Sequence, residues 1–391
     1  MSDATITTRP ARLTAAALLQ QARRNARATR QGWAALADAL FGGRERELVL
    51  SDRERAILLQ LLRQIVGDID AAVRWRLDAQ LEGAGGAVRT VWARIAADDG
   101  ALTFTTMLER GLLRDAALME AVAHRLWQHQ LERAVRPPDR GRWRDDTVLE
   151  RPGTFLDLPI PETSPLSRRI AAYMVDRSRR TDGYGNPVLL PGELEPGLYA
   201  RLHWRVAAVL RDLLTVSAAA EPGLLDSPIE AAASEAVRHS AAGAAAPTSA
   251  AEAAAALQAA GLLTPETLMR LLRAGEIPLF EAAFARLAGL RTVLLRRLLY
   301  ERDGEGIAVL ARALGLERDA AQAVCARVRA AGTGFSRGAG DEAGGPDRIF
   351  DEVARAEAEQ VRAYWARSPD FTHALWELET GEGEGAAGGI H

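Results

Sequence analysis

Residues 261–316 read GLLTPETLMRLLRAGEIPLFEAAFARLAGLRTVLLRRLLYERDGEGIAVLARALGL, and this stretch decides the fold. Within it, Ala285-Arg286-Leu287-Ala288-Gly289-Leu290 resembles Ala311-Arg312-Ala313-Leu314-Gly315-Leu316, 26 residues later. Arg270-Leu271-Leu272 returns 27 residues on as Arg297-Leu298-Leu299, and Gly261 precedes Gly289 by 28. Each glycine suits the left-handed position that closes a helix. Thr264 followed by Pro265 starts one helix, and Ser249-x-x-Glu252 is expected to cap another. The spacing predicts stacked antiparallel helical pairs over residues 249–331. Such hairpins bury their apolar faces only against neighbours, which is how solenoids are built.

The same signature lies upstream. Gly111-Leu112-Leu113 with Leu118-Met119 repeats the spacing of Gly261-Leu262-Leu263 with Leu268-Met269. Ser51-Asp52-Arg53-Glu54 is a capping box, and Ile57, Leu58, Leu61, Leu62 and Ile65 form the apolar stripe of the helix it opens. Gly67-Asp68 is expected to turn the chain before another helix lined by Ile69, Val73, Leu77 and Leu81. Short helices are expected over 88–97 and 102–109, a longer one over 115–135, one from Ser164-Pro165 to about Arg180, and a strongly amphipathic one over 198–216. Residues 11–41 read as one long helix or two short ones, with Arg23, Arg24, Arg27 and Arg30 off the face that carries Leu18, Trp33 and Leu40.

Proline marks the boundaries, because helix interiors exclude it. None lies between Pro10 and Pro137, and nine of the 17 fall from Pro137 to Pro196. The expected division is an Arg-rich helical arm over 1–48 and a helical-repeat lobe over 49–136. A Pro/Gly-rich central segment with one helix follows over 137–197, then a second repeat lobe over 198–331. Residues 332–391 are expected to hold a Gly-rich linker, an acidic helical pair and a disordered tail.

Alanine, leucine and arginine are strong helix formers and aromatic residues are only 5% of the 391, so the class is all-α. All 49 basic side chains are arginine. The absence of lysine excludes P-loop NTPases, protein kinases and Schiff-base enzymes. A single cysteine, Cys325, excludes a disulfide framework and Cys-based zinc sites, and reads as a small buried hydrophobe. No apolar run approaches the roughly 20 residues of a membrane span, and a cytoplasmic location is expected.

The candidate chemistry is sparse. His124 and His129 are five apart, on different helix faces, which is the wrong spacing for a metal pair. Acid pairs such as Asp68-x-Asp70, Asp98-Asp99 and Asp145-Asp146 read as solvated turns in a chain with 52 acids. No cofactor motif is present. Two features stand higher. Arg177, Arg179 and Arg180 end a helix just before a tight Asp182-Gly183-Tyr184-Gly185-Asn186-Pro187 loop. They could clamp a phosphate or carboxylate, or complement the helix dipole and anchor the loop. The ends of the chain are oppositely charged: eight arginines against four acids in 1–48, four against twelve in 341–391. They could pair within a chain or between chains, giving a homo-oligomer.

Several segments together resemble one bacterial family. They are Ser51-Asp52-Arg53-Glu54-Arg55, Asp68 to Arg74, the Leu112-Leu113-x-Asp115 turn, Ser178-Arg179-Arg180…Asn186-Pro187, Leu202 to Arg211, and Phe280 to Leu290. Together these resemble the family labelled domain of unknown function 2336, over roughly residues 50–331. The resemblance implies a helical, HEAT-like array in a cytoplasmic bacterial protein, and no site residues.

The reading is therefore an all-α, HEAT-like α-solenoid that binds a protein or peptide as a non-catalytic regulatory scaffold. Its candidate contacts are Arg177, Arg179 and Arg180, and Arg23, Arg24, Arg27 and Arg30 of the arm. The arginine supply leaves a second reading, a nucleic-acid-binding HEAT-like protein, against which stands the net charge of −3. A hydrolase using carboxylates in the groove has the least support.

Overall fold

The repeated Gly-Leu pairs are one backbone device used four times. The amides of Leu112, Leu262, Leu290 and Leu316 reach back five residues to the carbonyls of Met107, Leu257, Ala285 and Ala311, at 2.8–2.9 Å. In each pair the preceding glycine amide reaches back three residues. These crossed bonds satisfy carbonyls that a helix end leaves open. They need the left-handed backbone found at Gly289 and Gly315, with φ of 70° and 71°. Gly275-Glu276 uses the device a fifth time, with Glu276 bonded back to Leu271. An acid thus stands where the other pairs carry leucine.

The computed structural model describes residues 14–41, 50–83, 85–135, 160–161, 163–218, 222–244, 247–301, 304–332, 345–368 and 371. Among these the chain is all-helical, with no β-strand. Before the proline-dense stretch come α1 (Ala15–Phe41), α2 (Asp52–Gln80), α3 (Gly86–Ala96), α4 (Ala101–Glu109) and α5 (Ala116–Val135). Then follow α6 (Pro165–Ser178), α7 (Pro196–Ala218), α8 (Pro222–Ala244), α9 (Ser249–Ala259), α10 (Pro265–Arg273), α11 (Ile277–Ala288) and α12 (Thr292–Leu299). The last are α13 (Glu305–Ala313), α14 (Arg318–Ala330), α15 (Gly345–Glu352) and α16 (Arg355–Trp365). A short 3-10 helix at Pro191–Glu193 lies in the loop before α7.

Three local expectations are corrected. Gly67-Asp68 does not turn the chain: α2 runs unbroken through it. A mid-helix glycine costs only about 1 kcal/mol, and Ile65, Ile69, Val73 and Leu77 continue a single buried stripe across it. The cap of α9 is Thr248, one residue before the expected Ser249; its side chain accepts the Ala251 amide. A 23-residue helix, α8, lies between the helices expected over 198–216 and from 249 onward and carries Pro228. The helix expected over about 347–367 is broken at Val353-Ala354 into α15 and α16, and the irregular segment before Ile160, most of the Gly-rich linker, most of the helix expected over 369–379 and the tail fall outside the described residues.

Buried side chains from Leu18 to Val361 form one connected cluster. α2 packs on α7 and α8, and α5 packs on α1, α11 and α14, so helices on either side of the proline-dense stretch share an interior. Consecutive helices from α10 to α14 each pack on the next. α16 reads two successive glycine turns: Arg362 donates to the Ala288 carbonyl at 2.9 Å, and Arg355 lies against Gly315. α11 is enclosed by α5, α9, α10 and α12, and ten of its twelve residues are buried. Phe280 and Phe284 meet at its centre with tilted rings 5.8 Å apart, each contributing about 1.5–3 kcal/mol by burial. No helix among the described residues is long and apolar enough to cross a membrane.

Candidate functional site

α11 has all but Arg286 and Leu287 buried and still carries Glu281, which has no exposed surface. A carboxylate in that position requires partners for its charge and its lone pairs. It receives three donors. Arg296 Nε of α12 and the Tyr300 hydroxyl each reach it at 2.7 Å, and the Gln128 amide of α5 is the third. Five residues earlier Glu276, the first residue before α11, is buried as completely. It accepts the Tyr173 hydroxyl at 2.8 Å and pairs with Arg177 Nε at 3.1 Å, both from α6. Burial and the Glu276 charge push the Tyr173 phenol well above its ordinary range.

The chain after α6 is drawn into the same network. Arg180 places its guanidinium between the Glu193 carboxylate and the Gln128 side-chain oxygen. Arg125 of α5 donates to the carbonyls of Arg180 and Val188, at 2.6 and 2.9 Å. Asp182 then folds the loop tip by accepting the amides of Tyr184 and Asn186, at 2.9 and 2.8 Å. Thr181 and Pro187 pair as an isolated antiparallel bridge. Of the three arginines, Arg180 thus ties α6 to the loop through Glu193, while Arg177 pairs with Glu276 and Arg179 with Asp176.

Where this loop meets α6 and the first turns of α9 and α12, it encloses a cleft of about 270 Å³. Arg177, Arg179, Arg180 and Arg296 border it, together with Asp176, Glu193, Ser249 and Thr292. Arg180 is only 6% exposed, and its Nε–H finds no hydrogen-bond partner. Burial, reinforced by the positive charges of Arg125 and Arg296, brings its pKa down to about 9. Arg179 is mostly exposed and lies 3.7 Å from Asp176. Ser249 and Ala250 begin α9, and Thr292 begins α12, whose cap residue Arg291 supplies no side-chain bond. The lining therefore presents guanidinium, hydroxyl and first-turn groups to whatever enters, a donor set suited to an anion.

All three arginines expected from the sequence border this one cleft. Arg24 of the arm is exposed on α1, while the side chains of Arg23, Arg27 and Arg30 lie outside the described residues. Sequence reasoning missed Glu276, Glu281, Arg296, Gln128 and Glu193. One signal was available: Ile277–Ala288 is apolar except for Glu281 and Arg286, and a lone acid in such a run needs a buried partner.

Other candidates resolve into packing. His124 and His129 are buried, and His124 lies against Trp33, Trp127 and Tyr300 with ring centroids 5.5–5.8 Å away. Burial lowers His129 to about 4, helped by Arg125 and Arg133. Cys325 is buried, and burial raises its thiol to about 11. Asp70 is no solvated turn. It is buried, pairs with Arg74 at 2.6 Å, and accepts the Thr103 hydroxyl at 2.8 Å. Burial raises its pKa against the pull of Arg74. Asp98 accepts the amides of Gly100 and Leu102 and so caps α4. Asp145-Asp146 lies outside the described residues. A larger hollow of about 640 Å³ runs along α2 beside the exposed Trp75, lined by Asp78, Asp98, Asp99 and Glu235. Among the described residues no three of His, Cys, Asp and Glu gather as a metal set.

The profile of a family described as an uncharacterised protein conserved in bacteria, domain of unknown function 2336, matches residues 162–363. The chain belongs to this family. The matched span begins just before the Ser164 cap of α6 and ends within α16. It holds every residue that borders the cleft, while Arg125 and Gln128, which support the cleft from behind, precede it. Relative to the sequence resemblance over 50–331, the family match starts later and extends further. No curated protein and no solved structure matches the chain.

Proposed function

We propose that this domain of unknown function 2336 protein is a HEAT-like helical-repeat scaffold that binds a protein or peptide partner without catalysing a reaction. The Arg177–Arg180 cleft takes an anionic group of that partner. The observation that carries this reading is preorganisation. Buried Glu276 and Glu281 hold Arg177 and Arg296 by their Nε atoms, so the guanidinium forks are fixed before any ligand arrives. The neighbour-on-neighbour packing of α10 to α14 and the recurrent Gly-Leu stops support the repeat architecture. The Arg-rich arm and the acidic C-terminal segment serve as further contacts, for a partner or for a second copy.

Affinity capture tests this reading in the cytoplasm of a bacterial host. The wild-type chain should retain a discrete protein after nuclease treatment and at moderate salt, and the exposed-site variant Arg179→Glu should lose it. Retention of nucleic acid alone, with a steep fall in binding as salt rises, would contradict it.

A further inference from the structure

We infer, resting on the partner-binding reading above, that the cleft takes a single carboxylate from an acidic segment of a protein partner, in preference to a phosphoryl group. Three observations meet there. The first is the donor set. Arg296 uses Nε on Glu281, and its two Nη groups have no hydrogen-bond partner among the described residues. Arg177 uses Nε on Glu276 and, among the described residues, makes only a long contact from Nη1 to the Met174 sulfur. Arg180, more than nine-tenths buried, borders the same space with its guanidinium held by Glu193 and Gln128. Guanidinium donors left open at the border of a cleft are satisfied by an anionic acceptor that enters it.

The second observation is charge balance. Arg177, Arg179, Arg180 and Arg296 stand against Asp176, Glu193, Glu276 and Glu281, four cations to four anions. What remains is the pair of helix starts at Ser249 and Thr292, each equivalent to about half a positive charge. One monoanion closes that balance. A phosphoryl group carries about −1.5 to −2 and would leave negative charge beside Glu193 and Asp176. The third observation is size. At about 270 Å³ the cleft is smaller than the ~300–1,000 Å³ of drug-sized sites, and admits one side chain rather than a nucleotide.

The test uses three capped amino acids as probes at constant ionic strength: N-acetylglutamate methylamide, the phosphoserine analogue and the glutamine analogue. The Arg Nε–Hε resonances of the full chain are followed by NMR. A saturable shift of the Arg180 signal is expected with the glutamate probe, at least tenfold tighter than with phosphoserine and absent with glutamine. Arg179→Glu should weaken it at least tenfold with an unchanged unfolding midpoint. Ser249→Asp, which installs a carboxylate at the start of α9, should abolish probe binding and raise the midpoint. Tighter binding of phosphoserine, or no saturable shift with glutamate, overturns the carboxylate assignment. In the first case partner capture still depends on Arg179, so the scaffold reading stands. Loss of that dependence sinks the scaffold reading instead. Deletion of residues 372–391, which contain four glutamates, separates the remaining source of carboxylate. Unchanged probe affinity supports a partner's carboxylate, and a several-fold tightening shows that the chain's own tail is the occupant.

Discussion

Glu281 is the residue on which the buried network turns, and replacing it is the sharpest perturbation of the structure. In Glu281→Ala, Arg296 loses its counter-charge while only 18% of its side chain is exposed. The Tyr300 hydroxyl and the Gln128 amide lose their acceptor in the interior. Removing one member of a buried pair costs about 3–5 kcal/mol, and each stranded neutral donor costs about 1–3 kcal/mol. Partial relaxation of Arg296 toward the cleft offsets some of this, so about 4–6 kcal/mol is expected. That is a large part of a typical domain's stability of about 5–15 kcal/mol. Glu281→Gln keeps the shape and one acceptor oxygen but removes the charge and puts an amide N–H in place of the other oxygen, which the Tyr300 hydroxyl can accept by rotating, so about 2 kcal/mol is expected. Urea unfolding at pH 7 followed by circular dichroism reads both as midpoint shifts at constant slope. If Glu281→Ala and Glu281→Gln lose the same amount, or if either loses less than about 1 kcal/mol, the network does not hold the enclosed helix in place.

Three further outcomes follow from other parts of the molecule. His129, held near pKa 4 against an ordinary value of 6.5, binds fewer protons folded than unfolded between those values. Its contribution is complete above pH 6.5 and is lost as pH falls, reaching about 2.5 kcal/mol by pH 4.5. Urea midpoints across this range should fall more steeply in wild type than in His129→Gln, and equal slopes would refute the assignment. Two glycines should respond with opposite signs in thermal melts. Gly289→Ala forces alanine to φ 70° and should cost about 1–2 kcal/mol, whereas Gly67→Ala, mid-helix with open space around it, should gain about 0.5–1 kcal/mol. Asp70→Ala removes the nearest counter-charge of buried Arg74, which keeps the Asp98 carbonyl and a more distant carboxylate, and the acceptor of the Thr103 hydroxyl, and should destabilise by about 3 kcal/mol; a loss under 1 kcal/mol would place Asp70 among the solvated acids after all.

The helices were legible because their signals are local. The Ser51 capping box, the Thr264-Pro265 start and the Gly289-Leu290 stop each act within six residues, and each appears in the structure. Gly67 misled because a glycine marks a turn only when the apolar stripe breaks with it, and here the stripe continues. α8 was passed over because its apolar face is built mostly from Ala232, Ala233 and Ala236, which carry little periodic contrast in an alanine-rich chain. At the site, the Arg177–Arg180 cluster stood out as a run of like charge. Its partners did not, because Gln128, Glu193, Glu276 and Glu281 are scattered along more than 150 residues and only tertiary packing gathers them. The acid at Glu276 replaces the leucine of the other helix stops, a departure that becomes visible once the five stops are aligned by geometry.

The central claim is that a protein partner enters the cleft at the starts of α9 and α12. Site-specific photo-crosslinking in living bacteria tests it directly, with a photoreactive phenylalanine analogue at position 249 and a second at exposed position 224 on α8. One discrete protein adduct is expected from position 249, absent from position 224 and lost when Arg179→Glu is added. Nucleic-acid adducts at position 249, or a protein adduct indifferent to Arg179, would contradict it.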